Sequence, residues 1–330
     1  MQKKAVVLGG GGFIGNHLTS RLVDEGYWVR CVDVKLPEFA DTRAQDFQIS
    51  DLRERGNMRS ALSDLDGFVE IYQLAADMGG AGFIFTGEND ADVMHNSVLI
   101  NVLLLEQVVE LGLQTRSKIF YSSSACIYPE EIQSDPSSVS LSEEMAYPAN
   151  PDSDYGWEKL FSERLFSAFS RNYGVQVRLA RFHNVYGPLG TWTGGREKAP
   201  AAICRKVAEA DDGGVVEIWG SGNQTRSFLY IEDCLDAVLR FMNQDDFQGP
   251  MNIGSEEMVS IRELVELVAR VSGKSIQIKS IDGPVGVNGR NSNNNLVRHH
   301  LHWDYSWTLE NGITRLYDWI EKQVKFAQQA

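Results

Sequence analysis

The chain has 330 residues, 43% of them hydrophobic and 23% charged, which is ordinary composition for a soluble globular protein with room for one large domain or two modest ones. Its formal net charge of −14 excludes general nucleic-acid binding, which needs a basic footprint, but not a small anionic ligand held by a local cluster of cations. No stretch approaches the ~20 consecutive apolar residues of a membrane span. Cys31, Cys126, Cys204 and Cys234 are too few and too scattered for a disulfide framework, and they point to a reducing, cytoplasmic setting.

The amino terminus reads MQKKAVVLGG, and it lacks the apolar length and cleavage site of a signal peptide. KAVVLG (4–9) is a first strand. FIGNHLTSRLVDEG (13–26) is a helix, with Ile14, Leu18 and Leu22 at helical spacing and Gly26 as its stop. WVRCVDV (28–34), IYQLAA (71–76), KIFYSSS (118–124) and VQVRLARF (175–182) read as further strands. Helical patterns such as 97–112 and 158–174 lie between them. This alternation predicts an α/β fold: a Rossmann doubly wound parallel sheet, followed by a smaller mixed α/β C-terminal substrate domain.

Beyond residue 183 the pattern loosens. NVYGPLGTWTGG (184–195) reads as a loop, and 196–210 as a helix. Short strands are expected at 215–220 and 226–233, a helix at 231–244 and one more strand at MNIG (251–254). Two amphipathic helices follow, at 260–273 and 309–330. The expected division is a NAD-binding unit over 1–183, to which 228–258 returns, and a substrate unit from 184–227 and 259–330.

Gly9, Gly12 and Gly15 stand at G-x-x-G-x-x-G spacing between a strand and a helix. Glycines there let backbone approach a pyrophosphate, whose charge then lies on a helix N-terminus. A tight strand–helix turn alone gives the same pattern, so the loop is a weak signal by itself. Asp33 strengthens it, because an acid at the end of the second strand accepts bonds from the adenosine ribose hydroxyls. A carboxylate there repels a 2′-phosphate, which favours NAD over NADP despite nearby Arg30 and Lys35. Asp51 and Leu52 either reach the adenine amino group or cap a helix. HHLH (299–302) has no acid or cysteine at ligand spacing, so no metal is expected.

YGWEK places Tyr155 and Lys159 at i, i+4, on one helix face. Together with the glycine loop and the serines at 122–124, this resembles the extended short-chain dehydrogenase/reductases that act on nucleotide sugars. LAADMGGAGFI (74–84), SSACIYPE (123–130), RFHNVYGPLGTWTGGREKAPAAICRK (181–206), WGSGNQTRSF (219–228), MNIGSEEMVS (251–260) and GRNSNNNL (289–296) narrow the resemblance to the GDP-mannose 3,5-epimerase family, over nearly the whole chain. FIFTGENDADVMHNS (83–97) departs from it most.

The resemblance implies a tightly bound NAD that transiently oxidises C4 of GDP-D-mannose. The hydrogens at C3 and C5 then become acidic, because the carbanion delocalises as an enolate. Ser124 would hold the substrate hydroxyl, and Tyr155 would take its proton. Lys159 would bind the nicotinamide ribose and lower the Tyr155 pKa. Cys126 and Lys198 would be the acid/base pair, since a thiol near 8.5 and an amine near 10.4 are within reach of neutrality. The product would be GDP-L-galactose, or GDP-L-gulose where C5 alone inverts. Ala75 would line the cofactor. Gly80, Asn184, Glu197, Lys206, Gln224, Arg226 and Arg290 would contact the substrate, the cations meeting its diphosphate. A homodimer through the helices at 97–111 and 158–170 is also implied. The rivals are a nucleotide-sugar 4-epimerase, a 4,6-dehydratase, or an inactive NAD-binding module. A dehydratase carries Asp-Glu where Ala125-Cys126 stand, and the intact Ser124, Tyr155 and Lys159 argue against an inactive module.

Overall fold

A computed structural model describes residues 2–137 and 139–329. Strands β1 (Lys4–Leu8), β2 (Trp28–Asp33), β3 (Asp46–Ile49), β4 (Val69–Gln73), β5 (Ser117–Ser124) and β6 (Gln176–Phe182) alternate with helices α1 (Phe13–Asp24), α2 (Arg55–Leu62), α3 (Ala81–Ile84), α4 (Asp90–Glu110) and α5 (Asp154–Tyr173). The chain continues through β7 (Val185–Tyr186), α6 (Ala199–Glu209), β8 (Val215–Trp219), β9 (Thr225–Ser227), β10 (Leu229–Tyr230), α7 (Ile231–Asn243) and β11 (Met251–Ile253). It ends with β12 (Met258–Ser260), α8 (Ile261–Ser272), β13 (Gln277–Ile281), β14 (Gly289–Arg290), α9 (Asn295–Leu301) and α10 (Leu309–Ala327).

Seven strands form one parallel sheet in the order β11-β6-β5-β4-β1-β2-β3. The expected doubly wound sheet is therefore present, with MNIG as its edge strand. Both faces are covered. Along β1, Ala5 and Val7 join the cluster that contains Leu18 and Leu22 of α1, while Val6 and Leu8 face Leu104 and Val108 of α4. A period of two with apolar residues on both sides is what a buried parallel strand requires.

The remaining strands make small patches, β12-β9-β14, β13-β8 and β10-β7, and α6, α8 and α10 pack on one another. Local chemistry sets the helix ends. Ser260 and Glu263 form a capping box on α8, and Gly273 closes it at φ +71°. Two expectations change. The stretch 184–195 holds the short strand β7, paired with β10. Helix α4 begins at Asp90, well before the apolar run at 97, because Asp90 and Asp92 suit the first turn next to the helix dipole.

Candidate active site

The glycine loop follows β1 and opens α1. Gly9 has φ +91°, and a Cβ on it would lie 2.8 Å from Ala75 N. A Cβ on Gly15 would lie 2.1 Å from Gly9 O. These contacts bring α1 close against the strand end. Gly12 caps α1 without any side-chain hydrogen bond, so the first-turn N–H groups face outward. Asn16 Oδ1, buried beside them, has no partner among the described residues. Asp33 Oδ2 accepts from Gly11 N–H at 2.9 Å. Burial pushes the Asp33 carboxyl up, opposed by backbone N–H groups of Gly11, Lys35 and Val34. An open helix N-terminus, a cradle too tight for a Cβ at Gly9, Gly10, Gly11 and Gly15, and an unpartnered amide oxygen fit a dinucleotide. Asp51 behaves otherwise: it is paired with Arg53 at 2.7 Å, and Glu54 is the cap of α2. Leu52 is buried.

Strand β5 ends at Ser124, whose hydroxyl accepts from Cys126 N–H at 3.2 Å and so caps the 3₁₀ turn Ala125–Ile127. That turn answers why a cysteine follows the serines: it swings Sγ to the strand's carboxyl end. Tyr155 and Lys159 come from the first turns of α5, capped by Ser153. Lys159 Nζ donates to Ser122 O at 3.1 Å and lies 5.7 Å from the Tyr155 ring centre. Burial pushes the Tyr155 phenol far up, with the charges of Cys126 and Glu158 adding to it and Ser124 and Arg290 opposing. The lowering by Lys159 that the resemblance implies is not among these influences: the phenol is almost wholly out of water, and burial also pulls the Lys159 ammonium down. Behind Lys159, Glu158 accepts from Ser162 at 2.8 Å and Asn101 at 3.3 Å.

Lys198 caps α6 and is half-buried. Burial pulls its ammonium down, opposed by Cys126 and Cys234. Cys126 is partly exposed, whereas Cys31, Cys204 and Cys234 are buried. Arg290 donates to Cys126 Sγ at 3.0 Å and to Asp152 at 2.8 Å. Arg226 is its neighbour across β9 and β14, and burial pulls Arg226 down to about 10.

Other predicted residues have different partners. Lys206 donates to Glu217 O, Gln224 to Trp219 O and Asn184 to Ser227 O, at 2.6, 3.1 and 3.0 Å. Glu197 holds Arg205 at 3.2 Å. A Cβ on Gly80 would meet Glu197 O at 2.3 Å, so the Gly80 backbone lies directly on the Lys198 loop.

Sequence reasoning missed the cover of this site. Phe83 and Ile84 pack on Tyr155, with Cys126 at the margin, and the Arg196 guanidinium lies 3.9 Å over the Phe83 ring. It also missed Gln133 and Asp152, the two oxygen partners of Arg290. Nothing in the string distinguishes Asp152 from an ordinary acid ahead of a helix. In HHLH, the His300 ring stacks on Phe247 and meets His299 edge-on.

A family model described as the NAD dependent epimerase/dehydratase family matches residues 5–254. The chain belongs to that family. This epimerase/dehydratase-family chain is 43% identical over 98% of its length to GDP-mannose 3,5-epimerase of Arabidopsis thaliana, covering 83% of that protein. It is 42% identical over 97% to GDP-mannose 3,5-epimerase 1 of Oryza sativa subsp. japonica, covering 82%. The resemblance read from the motifs therefore holds across the chain, and NAD is the cofactor of the family. Among solved structures, Pal from Bacillus thuringiensis matches with TM-score 0.82 and 25% identity, over 97% of this chain and 99% of that one. UDP-glucose 4-epimerase of Thermotoga maritima, solved with UDP-glucose, matches with TM-score 0.82 and 24% identity over the same shares, which bears on the fold alone.

Proposed function

We infer that this chain epimerises GDP-D-mannose at C3 and C5 to GDP-L-galactose, releasing GDP-L-gulose where only C5 inverts. The observation that carries the reading is the meeting of Cys126, Lys198 and the Ser124–Tyr155–Lys159 group in one covered site, in a chain 43% identical to an enzyme of that name. Bound NAD supplies reversible oxidation at C4, which makes the neighbouring C–H bonds acidic.

The side chains divide the remaining work. Ser124 orients the C4 hydroxyl, and Tyr155 holds or takes its proton. A phenol pushed up by burial needs a cation against its oxygen to act near neutrality, and Lys159 is the cation on the same face of α5. Cys126 and Lys198 exchange protons with C3 and C5, one removing and the other returning. Burial helps Lys198, since a lowered ammonium gives up its proton more readily. Phe83 and Ile84 exclude water from the carbanion. Arg226, together with the two N–H groups that Arg290 leaves free beside Gln133, Cys126 and Asp152, meets the anionic end of the substrate, with Gly80, Glu197, Asn184, Lys206 and Gln224 around it. Residues 1–183 with 228–258 seat the dinucleotide through Gly9, Gly12, Gly15, Asp33, Leu52 and Ala75, and 184–227 with 259–330 seat the nucleotide sugar.

Incubation with GDP-mannose in heavy water tests the reading. Deuterium at C3 and C5 with inversion is expected. Loss of the 6-hydroxyl would identify a dehydratase, inversion at C4 without deuterium uptake a 4-epimerase, and an unchanged sugar without exchange a binding module. The protein is further proposed to be a cytoplasmic homodimer. The turns of α5 that expose Trp157 and Phe161 offer an apolar stripe for a partner, and a monomer at micromolar concentration in equilibrium sedimentation contradicts the dimer.

A further inference from the structure

Arg290 ends a two-residue strand and stands directly across from Arg226. Two neighbouring guanidiniums repel, and Arg290 is buried, so its placement needs anions. Arg290 meets that need with its whole fork. Its Nε donates to Gln133 Oε1 at 2.6 Å, one terminal nitrogen to Cys126 Sγ at 3.0 Å, and the other to Asp152 Oδ2 at 2.8 Å. Every nitrogen of the guanidinium has a partner, so its plane is fixed.

Gln133 and Asp152 are fixed in turn. Gln133 is wholly buried, and its Nε2 donates to the carbonyls of Tyr128 and Pro129, both at 3.0 Å. Those two acceptors force its Oε1 toward Arg290. The Asp152 carboxylate is 4% exposed, and its ion pair is with Arg290. A carboxylate so buried is costly unless paired. Neither residue has a place in the chemistry assigned so far.

We propose that Asp152 and Gln133 are positioning residues that lock the Arg290 guanidinium onto the Cys126 sulfur. When the S–H bond breaks and the proton leaves for the substrate or solvent, the electron pair kept by sulfur then lies against a fixed cation. Arg290 stays protonated throughout: burial works against its charge, and Cys126 and Asp152 outweigh it. The inference deepens the proposed function, resting on Cys126 as a proton-exchanging group. Other titratable or charged groups face the thiol too: Tyr155 and Lys159 from α5, Lys198 ahead of α6, and Arg226 from β9.

Asp152→Asn separates positioning from plain electrostatics, because the two predict opposite signs. Removal of a nearby negative charge by itself makes the thiol ionise more easily. Release of Arg290 from its fixed plane makes it ionise less easily. Gln133→Met changes no charge, so only the positioning account predicts an effect. The readout is iodoacetamide alkylation of Cys126, followed by mass spectrometry across pH, which needs no turnover. In both variants the midpoint of the alkylation profile is expected to move up and the rate at pH 7 to fall by about threefold to tenfold, since the thiolate is the nucleophile. Asp152→Glu should restore part of the rate.

Cys31, Cys204 and Cys234 are buried and report folding by staying unlabelled. Labelling of all four cysteines marks an unfolded variant, and the decision then passes to the other. A midpoint that moves down in Asp152→Asn, or stays put in either folded variant, overturns the proposal. Should both unfold, wild-type Cys126 reacting with the midpoint of a cysteine in a free peptide overturns it as well. Alkylation that shifts as expected, in a protein that inverts no GDP-mannose, would sink the proposed function and leave this inference standing.

Discussion

The two sides of the active site are made differently. Ser124, Tyr155 and Lys159 sit on a strand of a seven-stranded sheet and on a 20-residue helix. Backbone hydrogen bonding holds these elements, and the site's three groups follow from strand end and helix face. Cys126, Lys198, Arg226 and Arg290 come from a 3₁₀ turn, a loop end, a three-residue strand and a two-residue strand. Their places depend on what the first half presents, namely the Gly80 backbone, Gln133 and Asp152. The first side shapes itself, and the second is shaped against it. Damage to the sheet side should therefore cost cofactor or fold, while damage to the loop side should cost proton exchange alone.

The largest separation is expected from Cys126→Ala and Lys198→Met. Loss of a positioned acid or base costs about 10²–10⁴ in rate. Both variants should lose deuterium uptake and inversion by about that factor and still bind NAD. Uptake at the wild-type rate in Cys126→Ala refutes the assigned pair. Gly15→Val attacks the other side. Its Cβ would stand 2.1 Å from Gly9 O, a backbone atom with no rotamer to escape through. We expect about 1–3 kcal/mol of lost stability from the overpacking, and the rise in melting temperature on adding NAD should vanish. A variant that keeps that rise removes the glycine loop as the cofactor seat.

The same division decides what was legible beforehand. The sheet and its flanking helices carry their periodicity in the string, so β1, β2, β5, β6 and α5 read out directly, as did the sheet-edge strand β11. The i, i+4 spacing put Tyr155 and Lys159 on one helix face, and the glycine loop and the serines at 122–124 singled the pair out through the family resemblance. Cys126 and Lys198 were visible only through family resemblance, since their approach depends on a 3₁₀ turn and a loop that no spacing encodes. Gln133 and Asp152 lie 157 and 138 residues from Arg290 and carried no signal at all. For Asp51 the sequence left two readings open, and the structure adds only that its carboxylate is held by Arg53, two residues away.

His183 tests the seam between the sides. Its Nε2 meets Asn252 Oδ1 at 3.0 Å, and Gly254 packs so closely on it that an added Cβ would lie 2.6 Å from the His183 Cβ. Burial, with Arg290 and Arg181 adding and the Asn252 bond opposing, pulls its pKa from 6.5 to about 3. The sign follows from linkage. Between pH 6.5 and about 3 the unfolded chain takes up a proton that the folded chain refuses, so stability falls as pH falls through that window, by up to about 1.4 kcal/mol per pH unit. Titrating carboxylates add their own slope, so the measurement is a difference. His183→Gln should flatten the stability–pH curve between those limits and leave it unchanged above pH 7. An unchanged acid slope would mean that the seam already opens to water.

Gly80→Ala probes a single contact between the sides and should have the mildest effect. Gly80 has φ −77°, which any residue adopts, so backbone strain plays no part. The added Cβ would lie 2.3 Å from Glu197 O and 3.0 Å from Glu197 C, and the Gly80 N–H already donates to Arg196 O at 3.0 Å. The 196–198 loop must therefore retreat by about an ångström, carrying Lys198 with it. Misplacement of that size costs up to about a hundredfold in rate where it falls directly on reacting atoms. Here it reaches the ammonium through a flexible four-carbon stem that can take up part of the shift. A fall in kcat of about tenfold, with NAD affinity unchanged, is the outcome that agrees with a loop side shaped against the sheet side. Equal loss of kcat and NAD affinity would mean that the two sides respond as one body and that the division drawn between them is wrong.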